Sequence, residues 1–228
     1  MRGHYELSLS DGTKIPMRFC TWSLKRFCQL KGIGPSEIGD ALSGSDSLDA
    51  ICNLLRAAAE YPLYKEGITP SFTDLDTCDW IDDMGGIGGK KFQEVMAALT
   101  ESLNSGLEEP NNKKATKGAV KKKLEWIDIE KYTMGECQVL PHLFWDMTMA
   151  ELDYIWYGYR HKEEQEWLKV RWQTALLINI QLPKGKKVKP EELLPLDCDN
   201  RNFVKQRVMT REELNEVINK YNNAKPIK

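Results

Sequence analysis

The sequence lacks several features that define large functional classes. Its 32 Lys and Arg residues are balanced by 34 Asp and Glu residues, so no global positive field attracts nucleic acid or anionic lipid. No apolar run approaches the roughly 20 residues that a membrane helix needs. The first residues lack the apolar segment of a signal peptide. We therefore expect a folded protein that stays in the cytosol where it is made.

Cysteine and histidine are few and are not spaced as metal ligands. None of the six cysteines forms a CxxC pair, and the three histidines do not cluster with them. A zinc site is therefore not expected. We interpret all six cysteines as reduced thiols, most of them buried. This interpretation predicts that no cysteine pair bridges and that a chelator leaves the melting temperature unchanged.

The sequence also lacks a catalytic or cofactor-binding constellation. The glycine-rich run at 85–91 invites a phosphate-loop interpretation, but Met84 stands where the first glycine is needed and Lys91 where Ser or Thr is needed. An inter-helix turn is predicted there instead. His142 and His161 have no Ser or Cys partner in a motif that supports nucleophilic catalysis. We expect a protein that is not an enzyme and has no catalytic, metal-binding or cofactor-binding residues.

A β-hairpin is predicted at the start of the chain. Residues 5–9 and 14–19 alternate apolar and polar side chains, and Asp11-Gly12 between them is the favoured two-residue turn. Pro16 cannot donate a ladder hydrogen bond, so the second strand is expected at a sheet edge.

Helical patterns fill the chain from the hairpin to residue 103. Thr21 is a predicted N-cap, Gly32 a stop, and Pro62 the end of a longer helix. Another helix is predicted to begin at Thr73, with three inward positions: Leu75, Cys78 and Ile81. One hairpin followed by four or five helices predicts an α+β, mainly α module over residues 1–103.

Residues 104–123 are predicted to be a flexible basic linker. They contain six lysines and almost no apolar residue: Lys113, Lys114, Lys117, Lys121, Lys122 and Lys123. Limited proteolysis should therefore cut there first. No aromatic side chain is interleaved with these lysines, so stacking on bases is not available. A nucleic-acid-binding adaptor that uses Lys113–Lys123 stays an alternative, and salt-dependent binding to DNA or RNA tests it.

A second, all-helical module is predicted over residues 124–228. It holds five of the seven tryptophans: Trp126, Trp145, Trp156, Trp167 and Trp172. Thr148 and Glu151 form a capping box that opens a helical stretch reaching Ile180, either as one long helix or as a helical hairpin. A second capping box at Thr210 opens another predicted helix.

The stretch from Thr148 to Ile180 carries more aromatic residues than one inward stripe can hold. Four aliphatic residues already suffice for that stripe: Leu152, Ile155, Leu176 and Ile178. Helical geometry separates Trp156 from Tyr157 by about 100° and Trp167 from Trp172 by about 140°. We therefore predict a recognition surface here, with five candidate partner-binding residues: Trp156, Tyr157, Tyr159, Trp167 and Trp172.

The order of these patterns resembles a known family. The hairpin leads into Met17–Cys28, and the helix Leu48–Leu55 follows. This part resembles the N-terminal part of tail assembly chaperones of long-tailed bacteriophages. The segment Leu140–Leu152, in which a proline and aromatics precede a Met-Thr-x-x-Glu-Leu helix, resembles the downstream segment of their longer, two-module forms.

The resemblance implies a function that depends on binding alone. Such proteins keep the long, apolar, helical tape-measure protein soluble and bring major tail-tube subunits to it. They act in the bacterial host cytoplasm and leave before the virion is complete. The implied partners are thus the tape-measure and tail-tube proteins, with self-association left open and no cofactor. A structural virion component is the other alternative, and its presence in purified particles distinguishes it.

Overall fold

The β-hairpin predicted at the start of the chain is present in the computed structural model, which describes residues 2–107 and 123–200. Strands β1 (His4–Ser8) and β2 (Lys14–Arg18) pair antiparallel, with Leu7 opposite Ile15. The structure is 65% helical, and helices follow the hairpin. The predicted α+β, mainly α fold is therefore confirmed.

The loop of the hairpin differs from the predicted two-residue turn. Residues 9–13 separate the two strands, and the Leu9 N–H donates to the Thr13 carbonyl at 2.9 Å. Inside this loop the Asp11 carboxylate accepts from the Thr13 N–H at 2.7 Å. Gly12 has a φ of 87°, a conformation that glycine adopts without a steric cost. The aspartate side chain therefore organises a longer loop.

The helices after the hairpin enclose one apolar core. They are α1 (Thr21–Lys31), α2 (Ile38–Ser43), which a short 3-10 turn (Pro35–Glu37) precedes, α3 (Ser47–Lys65), α4 (Asp74–Asp83) and α5 (Lys90–Leu103). Its largest buried side chains come from the hairpin, from Phe19 directly after it and from three of these helices: Leu7, Met17, Phe19, Leu24, Phe27, Leu54, Leu55 and Val95. Full burial of each large apolar side chain contributes roughly 1.5–3 kcal/mol, so this core stabilises the first half of the chain.

Two predicted helix boundaries are wrong. The N-cap of α1 is Cys20, whose backbone N–H donates to Ser23 Oγ at 2.8 Å, so Thr21 is the first helical residue. Pro62 lies inside α3, which continues to Lys65. Because proline has no N–H, α3 continues past Pro62 without the hydrogen bond that this residue would otherwise donate to the carbonyl four positions earlier.

The inward face of α4 also differs from the predicted one. Leu75 is 71% exposed and Cys78 faces solvent, whereas Thr77 and Trp80 are buried beside Ile81. Trp80 removes more apolar area from water than Leu75 could, and its burial sets the rotation of the helix.

The later part of the chain is helical as well. Its elements are α6 (Trp126–Glu130), which continues as a π-helical turn (Lys131–Glu136), then α7 (Pro141–Asp146), α8 (Met149–Gln181), α9 (Pro190–Leu193) and a 3-10 turn (Asp197–Asn200). The capping box of α8 has formed: the Thr148 N–H donates to Glu151 Oε2 at 2.8 Å, and the Glu151 N–H donates to Thr148 Oγ1 at 3.2 Å. Although α8 has 33 residues, neither it nor another helix in the described part of the chain is apolar enough over sufficient length to cross a membrane.

Helices α6, α7 and the start of α8 pack against α1 and α3. The Thr21 N–H and hydroxyl both donate to the Met147 carbonyl, at 2.7 and 2.8 Å. A small second core joins three buried side chains: Ile129, Phe144 and Leu152. Trp126 and Met149 contact both this core and the larger one. Residues 126–152 therefore extend the core of the first half.

The chain divides into two compact units, Met1–Glu163 and Glu164–Lys228. The first part of α8 belongs to one unit and the second part to the other. The separation of modules 1–103 and 124–228 by the linker 104–123 stays a prediction, and residues 108–122 of that linker lie outside the described residues. The helix predicted at Thr210 also lies outside them.

Candidate interaction surface

An ionic cluster in the first unit holds the residues that lead into α8. The Asp146 carboxylate accepts from the Tyr61 hydroxyl at 3.1 Å and from Lys65 Nζ at 3.3 Å. Arg18, which is buried, donates from Nη2 to the Asp146 carbonyl at 2.6 Å. Burial raises the pKa of Asp146, but hydrogen bonds from Lys65 and Tyr61 and the charge of Arg18 outweigh it, so the pKa falls below its ordinary value. The ionised carboxylate therefore anchors the end of α7 to the hairpin and α3.

Two of the five predicted site residues pack against the π-helical turn. Trp156 Nε1 donates to the hydroxyl of buried Thr133 at 2.9 Å. The Tyr132 ring lies edge-on to both Trp156 and Tyr159, with ring centroids 6.0 and 5.9 Å away. Trp156 and Tyr159 are both half-buried. The structure thus places these two aromatic residues in contacts within the first unit.

Tyr157, the third candidate, faces solvent on the first part of α8. Its side chain is 42% exposed. Its ring stacks on His161, one helical turn later, with centroids 6.2 Å apart and planes 1° from parallel. This stack holds the aromatic ring in a defined orientation on the surface of α8.

The second part of α8 exposes Trp167 and Trp172, by 48% and 58%. Four aliphatic residues that were not among the predicted site residues are exposed on the same stretch: Val170 49%, Leu176 45%, Leu177 64% and Ile180 80%. We call these six side chains the 167–180 surface. Trp172, Leu176 and Ile180 follow one another at a spacing of four residues, so they line one side of the helix.

The buried side of this stretch is formed by residues that the predicted inward stripe omits. Leu176 was expected inward and is exposed, whereas Arg171 is 6% and Ala175 3% exposed. The sequence signal for the exposed surface is the number of apolar residues in 175–180. Five of these six residues are apolar, and residues so closely spaced cannot all lie on one face of a helix. Some of these side chains had to face outwards whichever side was buried.

A paired arginine explains which side of α8 is buried in the second unit. Arg171 donates to both carboxylate oxygens of Asp199, at 2.6 and 2.9 Å, and to the Leu194 carbonyl at 2.9 Å. The Arg171 hydrogen bonds, followed by that from the Leu196 N–H, lower the pKa of Asp199. A bidentate charged pair of this kind fixes geometry as well as distance.

Residues 188–199 run back along α8, and we call them the return segment. Further hydrogen bonds hold this segment against the helix. The Asn179 side chain exchanges two bonds with the backbone of Val188, at 3.0 and 2.8 Å. The Cys198 N–H donates to Glu164 Oε1 at 2.8 Å. The return segment therefore runs back along the side that carries Arg171, and the 167–180 surface occupies the remaining sides of the helix.

The glycine-rich run is a turn between two helices, as predicted. Helix α4 ends at Asp83 and α5 begins at Lys90. A Cβ atom at Gly89 would lie 1.9 Å from the Met84 carbonyl oxygen, so glycine is required there by close backbone contact. The glycines thus have a structural explanation without a phosphate.

Comparisons with protein-family models, curated proteins and solved structures find no match for this chain. Within residues 2–107 and 123–200, no group of three or more His, Cys, Asp or Glu side chains is placed to hold a metal ion. The chemistry that the 167–180 surface offers is burial of apolar area against another surface, which favours binding of a protein partner.

Proposed function

We propose that this chain is a non-enzymatic tail assembly chaperone of a long-tailed bacteriophage, which binds the tape-measure protein and recruits major tail-tube subunits during tail assembly. The resemblance of Met17–Cys28, Leu48–Leu55 and Leu140–Leu152 to that family supports the proposal. The observation that carries it is the 167–180 surface, where six large apolar side chains are exposed by 45–80%.

Apolar side chains so concentrated on one helix are suited to a partner that is itself apolar and helical. Scattered exposed apolar residues are ordinary, but a contiguous patch marks an interaction surface. Covering this apolar area removes it from water, which favours association and offsets part of the entropy that binding costs. The tape-measure protein, which the resemblance implies to be long, apolar and helical, fits this chemistry.

The return segment holds the proposed binding surface in its helical conformation before a partner binds. The Arg171–Asp199 pair and the Asn179–Val188 bonds hold α8 in a helix before a partner arrives. A preformed surface loses less conformational entropy on binding than one that must fold first. Trp167 and Trp172 are of the residue type that most often anchors an interface.

The test is co-expression of the tagged full chain with the tape-measure protein, with and without the major tail-tube protein. The proposal expects the tape-measure protein to stay in the soluble fraction and to co-purify with the tag, and the tail-tube protein to join the complex. The matched control is the Gln165→Ala variant, which changes an exposed polar residue of α8 that precedes the 167–180 surface and should retain both partners.

Three results would contradict the proposal. The first is a tape-measure protein that remains insoluble beside well-folded chaperone. The second is the chain as a stable component of purified virions, which supports a structural role. The third is salt-dependent binding to DNA or RNA, which supports the adaptor alternative that uses Lys113–Lys123; residues 108–122 lie outside the described part of the chain.

A further inference from the structure

Two cysteines on neighbouring helices of the first unit bring their sulfur atoms together. Cys52 on α3 and Cys78 on α4 have an Sγ–Sγ distance of 3.9 Å. Cys52 is 6% exposed, whereas Cys78 faces solvent. One thiol of the pair is thus accessible to a reagent and the other is sheltered directly behind it. Neither belongs to the 167–180 surface.

We propose that Cys52 and Cys78 form a reversible disulfide when the protein meets a thiol oxidant of the disulfide class, such as glutathione disulfide. A disulfide requires an S–S distance of about 2.05 Å, so closing the bond moves the sulfurs by about 2 Å. Helix α4 can supply this movement, because residues 66–73 before it have no regular structure and a glycine turn follows it. The bond can then close while α3, which packs in the core, stays in place.

The reaction proceeds by two thiol–disulfide exchanges. The Cys78 thiolate attacks one sulfur of glutathione disulfide, the glutathione S–S bond breaks, and one glutathione thiolate leaves. The Cys52 sulfur then gives its proton to solvent and attacks the Cys78 sulfur of the mixed disulfide, which releases the second glutathione. The two protein thiols lose two electrons and two protons, and glutathione disulfide takes them up as two glutathione thiols.

The surroundings of the two thiols set the order of these steps. Burial, followed by the hydrogen bond with Cys78, raises the pKa of Cys52 to about 11. A thiol that stays protonated and shielded does not start the exchange. Cys78 is therefore the attacking residue and Cys52 the resolving one.

The bridge ties α4 to α3. It closes the loop between residues 52 and 78 and restricts local opening of α4. This proposal departs from the expectation, drawn from the sequence, that no cysteine pair bridges.

The test equilibrates the full chain with glutathione and glutathione disulfide over a range of ratios, followed by acid quenching and alkylation of free thiols. Trypsin then places Cys52 in the peptide 32–56 and Cys78 in the peptide 66–90. Mass spectrometry is expected to detect these two peptides joined, in monomeric protein, at the oxidising ratios. Addition of dithiothreitol should separate them.

Single substitutions distinguish the two roles. Cys52→Ser should leave a mixed disulfide with glutathione trapped at Cys78, and Cys78→Ser should leave Cys52 unmodified. Cys137→Ser, at a half-buried position after the π-helical turn, should bridge as the unchanged protein does. Thermal melts under reducing conditions confirm that each variant folds, and Cys52→Ala replaces Cys52→Ser if the serine variant does not fold.

Two results would overturn the proposal. One is a mixed disulfide that accumulates at Cys78 of the unchanged protein and never resolves into the joined peptide. The other is the absence of a joined peptide at every ratio while Cys137 is modified.

Discussion

The two parts of α8 use their apolar residues in opposite ways. In Met149–Glu163, Leu152 is completely buried and Trp156 donates its indole N–H to a buried threonine. In Glu164–Gln181, the buried positions are Arg171 and Ala175, while six of the larger apolar side chains are exposed and Leu168 and Ile178 are half-buried. The first part therefore contributes its apolar area to folding. The second part is held by a charged pair and keeps its apolar area available for a partner.

The largest expected effect concerns the core beneath the first part of α8. Phe144 is 0% exposed, and Phe144→Ala should lower the free energy of unfolding by about 3–5 kcal/mol, because it removes apolar contacts and leaves a cavity. Urea denaturation followed by circular dichroism measures this change. The neighbouring Leu143, which is 45% exposed, provides the matched control, and Leu143→Ala should cost less than about 1 kcal/mol. Equal losses in the two variants would show that the second core does not stabilise this unit.

The next effect concerns the second part of α8. Trp172→Ala should weaken capture of the tape-measure protein by roughly 2 kcal/mol or more, as expected for an aromatic anchor at an interface. The melting temperature should hardly change, because Trp172 is 58% exposed. Capture by immobilised variants, measured over a range of tape-measure concentrations, gives the loss of affinity.

Gln165→Ala, at an exposed position of α8 before the 167–180 surface, is the control for that experiment and should behave as the unchanged protein does. Tyr157→Ala tests in the same assay whether recognition also involves the first unit. Unchanged capture by a well-folded Trp172→Ala variant would show that the 167–180 surface does not bind the tape-measure protein. Loss of folding would show that Trp172 is a core residue.

Local sequence signals predicted which helices and strands are present more accurately than which of their residues are buried. The helix predicted at Thr73 is present with Thr73 as its N-cap, and the capping box predicted at Thr148 has formed. The buried side of the second part of α8 could not be predicted in this way. It depends on the bond between Arg171 and Asp199, which are 28 positions apart, and no periodicity in the helix itself indicates that contact.

The same limit applies to the cluster around Asp146. Its carboxylate binds Tyr61, 85 positions earlier in the sequence, and its carbonyl accepts from Arg18. Sequence patterns separated residues 1–103 from 124–228 by composition alone. Composition does not reveal which charged residues from distant parts of the chain meet, because those contacts form only in the folded protein.

A smaller effect is expected from the indole hydrogen bond of the first part of α8. Trp156→Phe keeps an aromatic ring against Tyr132 but removes the N–H that Thr133 accepts. The free energy of unfolding should fall by about 1 kcal/mol, since the buried hydroxyl loses its donor. Chemical denaturation measures this loss. Thr133→Val in the same background should add little if the bond is the whole effect, and an additive loss would show that packing dominates.

The smallest expected effect is the pH dependence of the Asp146 cluster. The pKa of Asp146 is lower in the folded protein than the ordinary value of about 3.9, so its ionised form stabilises folding above that pH, and the contribution disappears as the pH falls through the folded-state pKa. The Asp146 side chain is 38% exposed, and solvent screening limits the contribution to about 0.5–1 kcal/mol. Asp146→Asn should therefore be less stable than the unchanged protein near pH 7, and the two should converge as the pH falls below the ordinary aspartate pKa and through the folded-state pKa of Asp146. Urea midpoints of both proteins across this range measure the convergence, with Asp79→Asn, at an exposed position of α4, as the control. A difference that stays constant with pH would mean that the amide perturbs the packing of α7 and that the charge of Asp146 contributes nothing to the first part of α8.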